Sequence, residues 1–371
     1  MKAIIISKHG GPEVLDLKDI SLSKPKSDEV KIEHKAIGLN YIDTYHRSGL
    51  YPLKTPTGIG AEGAGIITEI GSEVTDFKIG DRVSYAGAPL GSYATHRNYP
   101  TKNLVKVPDN IDFRIAATLM TKGLTTFYLL HKTYPVKKGE TILFHAAAGG
   151  VGQIFGQWAK SLGCKVIGTV GSDDKIENAK SYGYDYVINY NKENFSKKVL
   201  EISDGKGIPV VYDGVGRSTL EGSLECLSVR GMMVSFGNAS GPLSEINVPK
   251  LIQPKGLYLT RPSMQQYLST KEELAEGSKL LFEKVSSGNI KVEIFKDTES
   301  NTFSNRISSV LTPTITSPKS DKPEPSVVCQ IIFIGLVLST PRSNKGTLHS
   351  VNVSFEATSI FPTKTKAFQS F

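Results

Sequence analysis

Cysteine is scarce in this chain of 371 residues: Cys164, Cys226 and Cys329 are its only thiols. Three thiols cannot build a disulfide framework, nor supply the four thiolates of a Cys-only zinc lobe. Long hydrophobic runs are also missing, since none reaches the roughly 18–20 apolar residues that cross a bilayer. The opening residues Met1–Ile6 lack the apolar core and small-residue cleavage site of a signal peptide. A cytoplasmic protein with no membrane partner is the expectation, in a compartment that keeps thiols reduced. Runs of five or more Lys and Arg are absent, as are zinc-finger, RNA-binding and basic-zipper signatures. The net charge of +8 therefore reads as a solvated basic surface, and nucleic acid is not the expected partner.

Glycine is scarce in the last part of the chain compared with the rest. Residues 298–371 hold 2 of the 35 glycines but 23 Ser and Thr. The stretch Thr312–Pro325, rich in hydroxyls and proline, favours a disordered tail. One apolar run, Val327–Leu338, interrupts it as a strand candidate that would be prone to aggregate if exposed. Before this tail the first 120 residues read as short strands between turns: Lys2–Ser7, Glu29–Ala36, Gly63–Ile70, Arg82–Tyr85 and Leu104–Lys106. That pattern predicts an antiparallel, barrel-like unit. From about Gly123 strands alternate with helices, which implies a parallel doubly wound α/β sheet.

What is present is a nucleotide-binding signal. The apolar strand from Thr141 runs into His145-Ala146-Ala147-Ala148-Gly149-Gly150-Val151-Gly152. A helix with an apolar face of Ile154, Phe155, Trp158, Ala159 and Leu162 follows, ended by Gly163, and then the strand Lys165–Val170. Small residues let the backbone approach a pyrophosphate, whose charge the free N–H groups at the helix start attract. Gly149, Gly150 and Val151 are the expected contacts, with Ala147 standing where the usual fingerprint has its first glycine. An NAD site places an acid about 20 residues on; here Gly171 stands there, followed by Ser172-Asp173-Asp174-Lys175. Gly171 leaves room for a 2′-phosphate, with Ser172 and Lys175 as its partners, so the cofactor expected is NADPH. Asp173 and Asp174 argue against this, and Ser172 could instead cap the next helix.

Three motifs then carry a family resemblance: the His145–Gly152 turn, Asn40-Tyr41-Ile42-Asp43-Thr44-Tyr45-His46-Arg47-Ser48-Gly49-Leu50-Tyr51-Pro52, and Val234-Ser235-Phe236-Gly237-Asn238. The chain resembles the NADPH:quinone reductases, the zinc-free, zeta-crystallin-like branch of the medium-chain dehydrogenase/reductase superfamily, almost continuously from Lys2 to about Phe295. The resemblance implies a doubly wound Rossmann domain inserted in a GroES-like β-barrel catalytic domain. The expected division is 1–122 for the first catalytic part, 123–262 for the NADPH-binding domain and 263–297 for a truncated catalytic return, with 298–371 as a non-family tail. It also implies a homodimer.

Where zinc dehydrogenases of the superfamily have their Cys and His ligands, this chain has Asn40 and Ala61, with Glu62 retained. That donor set cannot form a tetrahedral N/S site, so no metal is expected. Without a Lewis acid a quinone is the easiest hydride acceptor, because its product becomes aromatic; an α,β-unsaturated ketone comes next. The resemblance places Asn40 and Tyr45 beside the nicotinamide and Tyr51 at the substrate mouth. It adds Tyr128 near the ribose, Tyr190 at the adenine edge, and Val215, Phe236, Gly237, Asn238, Leu259, Thr260 and Arg261 on the nicotinamide side. Each of these could equally be packing. His46 and His145 lie near the motifs, but a lone histidine is more often structural.

The family's usual last helix and strand have no counterpart after Lys296, so an apolar face of the barrel is expected to lie uncovered, with reduced stability or activity. The reading is a zinc-independent NADPH:quinone reductase. The alternatives are an enone or alkenal reductase, and a catalytically weak NADPH-binding protein of structural or RNA-associated type.

Overall fold

Six parallel strands form the centre of the nucleotide-binding half. Their order across the sheet is Tyr186–Asn189, Lys165–Val170, Thr141–Phe144, Ile208–Asp213, Leu227–Ser235 and Tyr258–Thr260. The chain reverses direction of growth beside Thr141–Phe144, and such switch points hold ligands at the carboxyl ends of the strands. The inner strands read as continuous apolar runs because helices cover both faces. On one face Phe144, Phe155 and Trp158 are buried; on the other Leu143, Ile167, Val199 and Leu224 form a second cluster. These features belong to a computed structural model that describes residues 1–243 and 245–294, and the backbone of Lys296–Thr298 and Gln330–Phe333. The described residues fall within one compact unit, Met1–Gly335. Among them no helix is long and apolar enough to cross a membrane.

The catalytic half is an antiparallel sheet whose spine is the strand Glu29–Leu39. Glu62–Ile70 pairs along one edge of it, followed by Arg82–Ala86 and Leu104–Lys106. His96–Pro100 pairs with Glu29–Glu33, and Gln330–Phe333 pairs antiparallel with Ala36–Leu39. The described pairings do not close this sheet into a complete barrel. Gln330–Phe333 lies inside the apolar run expected as a strand candidate and pairs into the catalytic sheet. The remaining expectation of a disordered tail falls on residues outside those described.

The helix Phe113–Tyr128 joins the halves and runs straight through the division expected at 122/123. Asp112 starts it, its Oδ1 accepting the Arg114 N–H at 2.8 Å. The helix is buried along most of its length and packs against both the Glu29–Leu39 strand and the helix Lys271–Ser286. Gly38 allows that seat: a Cβ there would stand 2.0 Å from the Ala117 carbonyl oxygen.

Candidate cofactor and substrate site

The turn after Thr141–Phe144 is built for close approach. Ala146 adopts φ 60°, and the Gly149 N–H returns to its carbonyl at 2.9 Å. The helix Gly150–Ser161 begins immediately after Gly149. A Cβ on Gly152 would lie 2.4 Å from the Ala147 carbonyl oxygen, so only glycine lets the helix start this near the turn. Gly149, Gly150 and Val151 thus stand at a helix N-terminus with the small-residue cradle a pyrophosphate requires. His145 is fully buried, bonded to Thr169 Oγ1 at 2.8 Å and Ser223 Oγ at 2.9 Å. Burial lowers its pKa; the ring is a neutral structural element.

At the strand end, Gly171 lies under Tyr190, whose Oη would be 3.0 Å from a Cβ at that position. Ser172 precedes a short 3₁₀ turn, and its hydroxyl makes no capping hydrogen bond. Its expected alternative as a cap is therefore not realised. Lys175 is half-buried, with burial lowering its pKa. Asp173 is turned to Asn189 Nδ2 at 2.6 Å and to the Lys192 ammonium, which offsets the repulsion its charge would exert on a phosphate. Gly171, Ser172, Lys175 and Tyr190 fit a 2′-phosphorylated ribose.

Tyr45 and Tyr51 come from the helix Tyr41–Ser48 and the turn behind it. Their rings meet edge-on with centroids 5.2 Å apart, and Tyr41 meets Tyr45 in the same way at 5.2 Å. Burial raises the Tyr45 pKa well above the ordinary phenol range, so the phenol stays protonated. Tyr51 Oη accepts from Asn238 Nδ2 at 2.9 Å and from Arg261 Nη2 at 3.1 Å. Arg261 is itself held by the carbonyls of Ser235 (3.1 Å) and Gly237 (2.9 Å). Two loops of the nucleotide-binding half thus meet one phenol of the catalytic half.

Asn40 opens the helix Tyr41–Ser48 and forms a capping box with Asp43. Its Nδ2 donates to Glu62 Oε2 at 2.7 Å, and its Oδ1 accepts from Lys122 Nζ at 2.9 Å. Lys122 also lies 3.4 Å from Glu62 Oε2. Asp43 Oδ2 accepts from the Asn40 N–H at 2.9 Å and Tyr93 Oη at 2.7 Å. All four polar side chains are buried, and burial pushes the Asp43 pKa up to about 7. Asn40 was legible as a site residue, and Glu62 only as the acid retained at the zinc position; Lys122 as their partner was not, although a lysine within the apolar stretch Ile115–Tyr128 demanded a buried acceptor. Among the described residues no three His, Cys, Asp or Glu side chains group as a possible metal site.

Other expected residues are placed less directly. Tyr128 is buried and stacks on Tyr267 at 5.2 Å with rings 16° apart. Val215 is buried, its N–H given to Asp213 Oδ1 at 2.7 Å. Phe236 packs on Phe144 at 5.6 Å and fills the space beside Gly214. Leu259 is 39% exposed on the outermost strand, and Thr260 pairs with Val234; neither makes a side-chain hydrogen bond to the Tyr51 cluster. Asp213, which the sequence did not single out, is a buried hub accepting from Val215, Gly216 and Thr219.

The chain matches two family models, an alcohol dehydrogenase GroES-like domain over residues 26–109 and a zinc-binding dehydrogenase domain over residues 150–283. It is 51% identical over 294 residues to a quinone oxidoreductase of Pseudomonas aeruginosa, which spans 79% of this chain and 90% of the relative. It is 43% identical over 293 residues to a 2-haloacrylate reductase of a Burkholderia species, covering 77% of this chain and 88% of that protein. The solved structure of Escherichia coli quinone oxidoreductase complexed with NADPH superposes with a TM-score of 0.83 at 44% identity, covering 90% of this chain and all of the other. With its Rossmann sheet, its catalytic sheet and its paired tyrosines in place, the chain belongs to the quinone oxidoreductase family of the medium-chain dehydrogenases/reductases.

Proposed function

We propose that this protein is an NADPH-dependent reductase of quinones that works without zinc. The observation that carries the reading is the convergence of Tyr45, Tyr51, Asn238 and Arg261, in a chain whose small-residue turn opens the helix Gly150–Ser161. When bound, NADPH supplies the hydride. Gly149, Gly150 and Val151 hold the pyrophosphate; Gly171, Ser172 and Lys175 receive the 2′-phosphate, and Tyr190 edges the adenine. Asn40 and Tyr45 flank the nicotinamide. Tyr45 and Tyr51 present flat rings to a planar acceptor, and a protonated phenol can donate to its oxygen as charge develops there. Phe236, Gly237, Asn238 and Arg261 form the opposite wall. Solvent supplies the final proton to the hydroquinone.

A second reading, reduction of a conjugated double bond, draws on the 2-haloacrylate reductase relative. Hydride addition there yields a delocalised enolate that the same donors would stabilise. Steady-state NADPH oxidation with 1,4-benzoquinone, 9,10-phenanthrenequinone and a panel of enones separates the readings. Turnover with quinones at much higher kcat/KM is expected; NADPH binding without turnover would defeat both.

We also infer a cytoplasmic homodimer. Cys164 and Cys226 are buried free thiols, with burial pushing their pKa up to about 11 and about 12; such thiols suit a reducing compartment. The outer strand Tyr258–Thr260 exposes Tyr258 and Leu259, with Val229 on the strand beside it. A strand edge bearing apolar side chains is a template for a second copy. Leu259→Lys is expected to shift the mass in solution from dimer to monomer.

A further inference from the structure

We propose that Lys122 is a positioning residue for the hydride step, acting through the side-chain amide of Asn40; this rests on the placement of Asn40 beside the nicotinamide. The two ends of that amide meet opposite charges. Nδ2 donates to Glu62 Oε2 at 2.7 Å, while Oδ1 accepts from Lys122 Nζ at 2.9 Å. Turning the amide over would set its NH₂ against an ammonium and its carbonyl against a carboxylate. One orientation is therefore selected by two charge-assisted hydrogen bonds at once.

The charges are themselves immobilised. Glu62 Oε1 accepts the Thr121 N–H at 2.8 Å, Oε2 faces Lys122 Nζ at 3.4 Å, and the Glu62 N–H is given to Ser92 Oγ at 3.2 Å. Thr121 and Lys122 are consecutive on the helix Phe113–Tyr128, which thus delivers a backbone donor and a cation to a single carboxylate. Lys122 Nζ also reaches the Leu39 carbonyl at 3.5 Å, the last residue of the strand that leads into Asn40. Glu62 is 0% and Lys122 5% exposed, so salt does not screen the pair as it would at the surface.

The chemical consequence follows from the amide's inventory. Nδ2 carries two hydrogens, and Glu62 takes one. The other remains as a donor to an acceptor oxygen, where hydride addition leaves negative charge. In the reversed amide a carbonyl oxygen would stand there instead and repel that charge. Lys122 need not touch the substrate: it sets the sign of the dipole that does. Where zinc relatives carry a ligand set for a dication, this chain holds a fixed ammonium against the Asn40 amide.

The test uses Lys122→Met and the double variant Lys122→Met/Glu62→Gln, which removes both buried charges and keeps the fold free of an unpaired carboxylate. NADPH affinity is read by fluorescence titration, kcat and KM with 1,4-benzoquinone, and the Asn40 side-chain amide by ¹⁵N-edited NMR, assigned by its loss in Asn40→Ser. Both variants should lose roughly 10–100-fold in kcat, with NADPH affinity within about twofold of wild type, and the Asn40 NH₂ resonances should move toward solvent-exposed values. An unchanged kcat in the folded double variant, unmoved Asn40 resonances, or a loss of NADPH affinity in proportion to kcat would overturn the assignment. If the wild-type protein itself fails to reduce quinones, the functional reading falls, and the Asn40 resonances still decide whether Lys122 orients the amide.

Discussion

Arg261 and Tyr51 stand 210 positions apart in the chain, yet Arg261 Nη2 donates to Tyr51 Oη at 3.1 Å. Asn238 Nδ2 reaches the same oxygen at 2.9 Å. One phenol therefore latches the catalytic half to two loops of the nucleotide-binding half. Tyr51→Phe removes the shared acceptor and leaves two donors to find water. A loss of about 1–2 kcal/mol is expected, seen as a thermal midpoint lower by a few degrees. Quinone KM should rise several-fold with kcat less affected. A variant with wild-type midpoint and KM would show that the latch has no influence on the mouth of the site.

Lys175→Ala tests the 2′-phosphate end. Hydrogen bonds to charged groups contribute about 1.5–3 kcal/mol, so KM for NADPH should rise roughly 10–100-fold while KM for NADH stays unchanged. Lys192→Ala provides a companion, because it releases the Asp173 carboxylate that Lys192 pairs with. NADPH should then bind less well than in wild type, but by a smaller factor. Equal effects on both nucleotides would place the two lysines outside the phosphate site.

Asp43 makes a pH prediction whose sign is opposite to that of most paired carboxylates. Burial raises its folded pKa from 3.8 to about 7, so between these values the folded state holds a proton that the unfolded state has released. Stability contributed by this group is greatest at low pH and is lost as pH rises from about 4 through 7. Asp43→Asn retains an oxygen for Tyr93 and Asn40 and abolishes this titration. The variant should therefore gain stability relative to wild type between pH 5 and pH 8. Parallel melting-temperature curves for the two proteins would contradict it.

Gly38→Ala addresses the seat of the central helix. An added Cβ would stand 2.0 Å from the Ala117 carbonyl oxygen and 2.7 Å from Glu62 Oε2. Backbone cannot yield as a side-chain tip does, and overpacking of this kind costs about 1–3 kcal/mol or more. Because Thr121 and Lys122 ride on the same helix, kcat should fall together with the denaturant midpoint. A stable variant of normal activity would mean that the helix has room to shift.

The strand Gln330–Phe333 lies against Ala36–Leu39, directly before Asn40. Truncation after residue 297 removes it and bares those backbone groups. Faster amide exchange at residues 36–39 and a lower thermal midpoint are expected. Fusing the family's own closing helix and strand in place of residues 298–371 should raise the midpoint above that of the present chain. A truncated protein with unchanged exchange at residues 36–39 would show that the tail strand covers nothing.

Much of the nucleotide-binding half was legible because its signals are local. The strand Lys165–Val170 has the predicted bounds, and so, in the catalytic half, has Leu104–Lys106; apolar runs and flanking turns mark them within a few residues. Gly163 ends the Gly150–Ser161 helix region in a left-handed conformation, φ 82°, as a glycine in that position would. The separate names Tyr51, Asn238 and Arg261 could be read from motifs, but their meeting at one oxygen could not. Tyr128 illustrates the limit: the family resemblance named it, but its stack on Tyr267 could not be read from either residue's surroundings in the chain.

The amino-acid sequence alone determined that this chain has an antiparallel first part, a doubly wound second part and a small-residue dinucleotide turn. Those properties reside in composition and in patterns a few residues long, where backbone sterics and apolar periodicity act directly. Only the tertiary structure decided which charges meet. Lys122 finds Asn40 across 82 positions and Glu62 across 60, and Asp173 is turned to Lys192 across 19. Buried charges are settled by burial and partner together, and both exist only once distant strands and helices have packed.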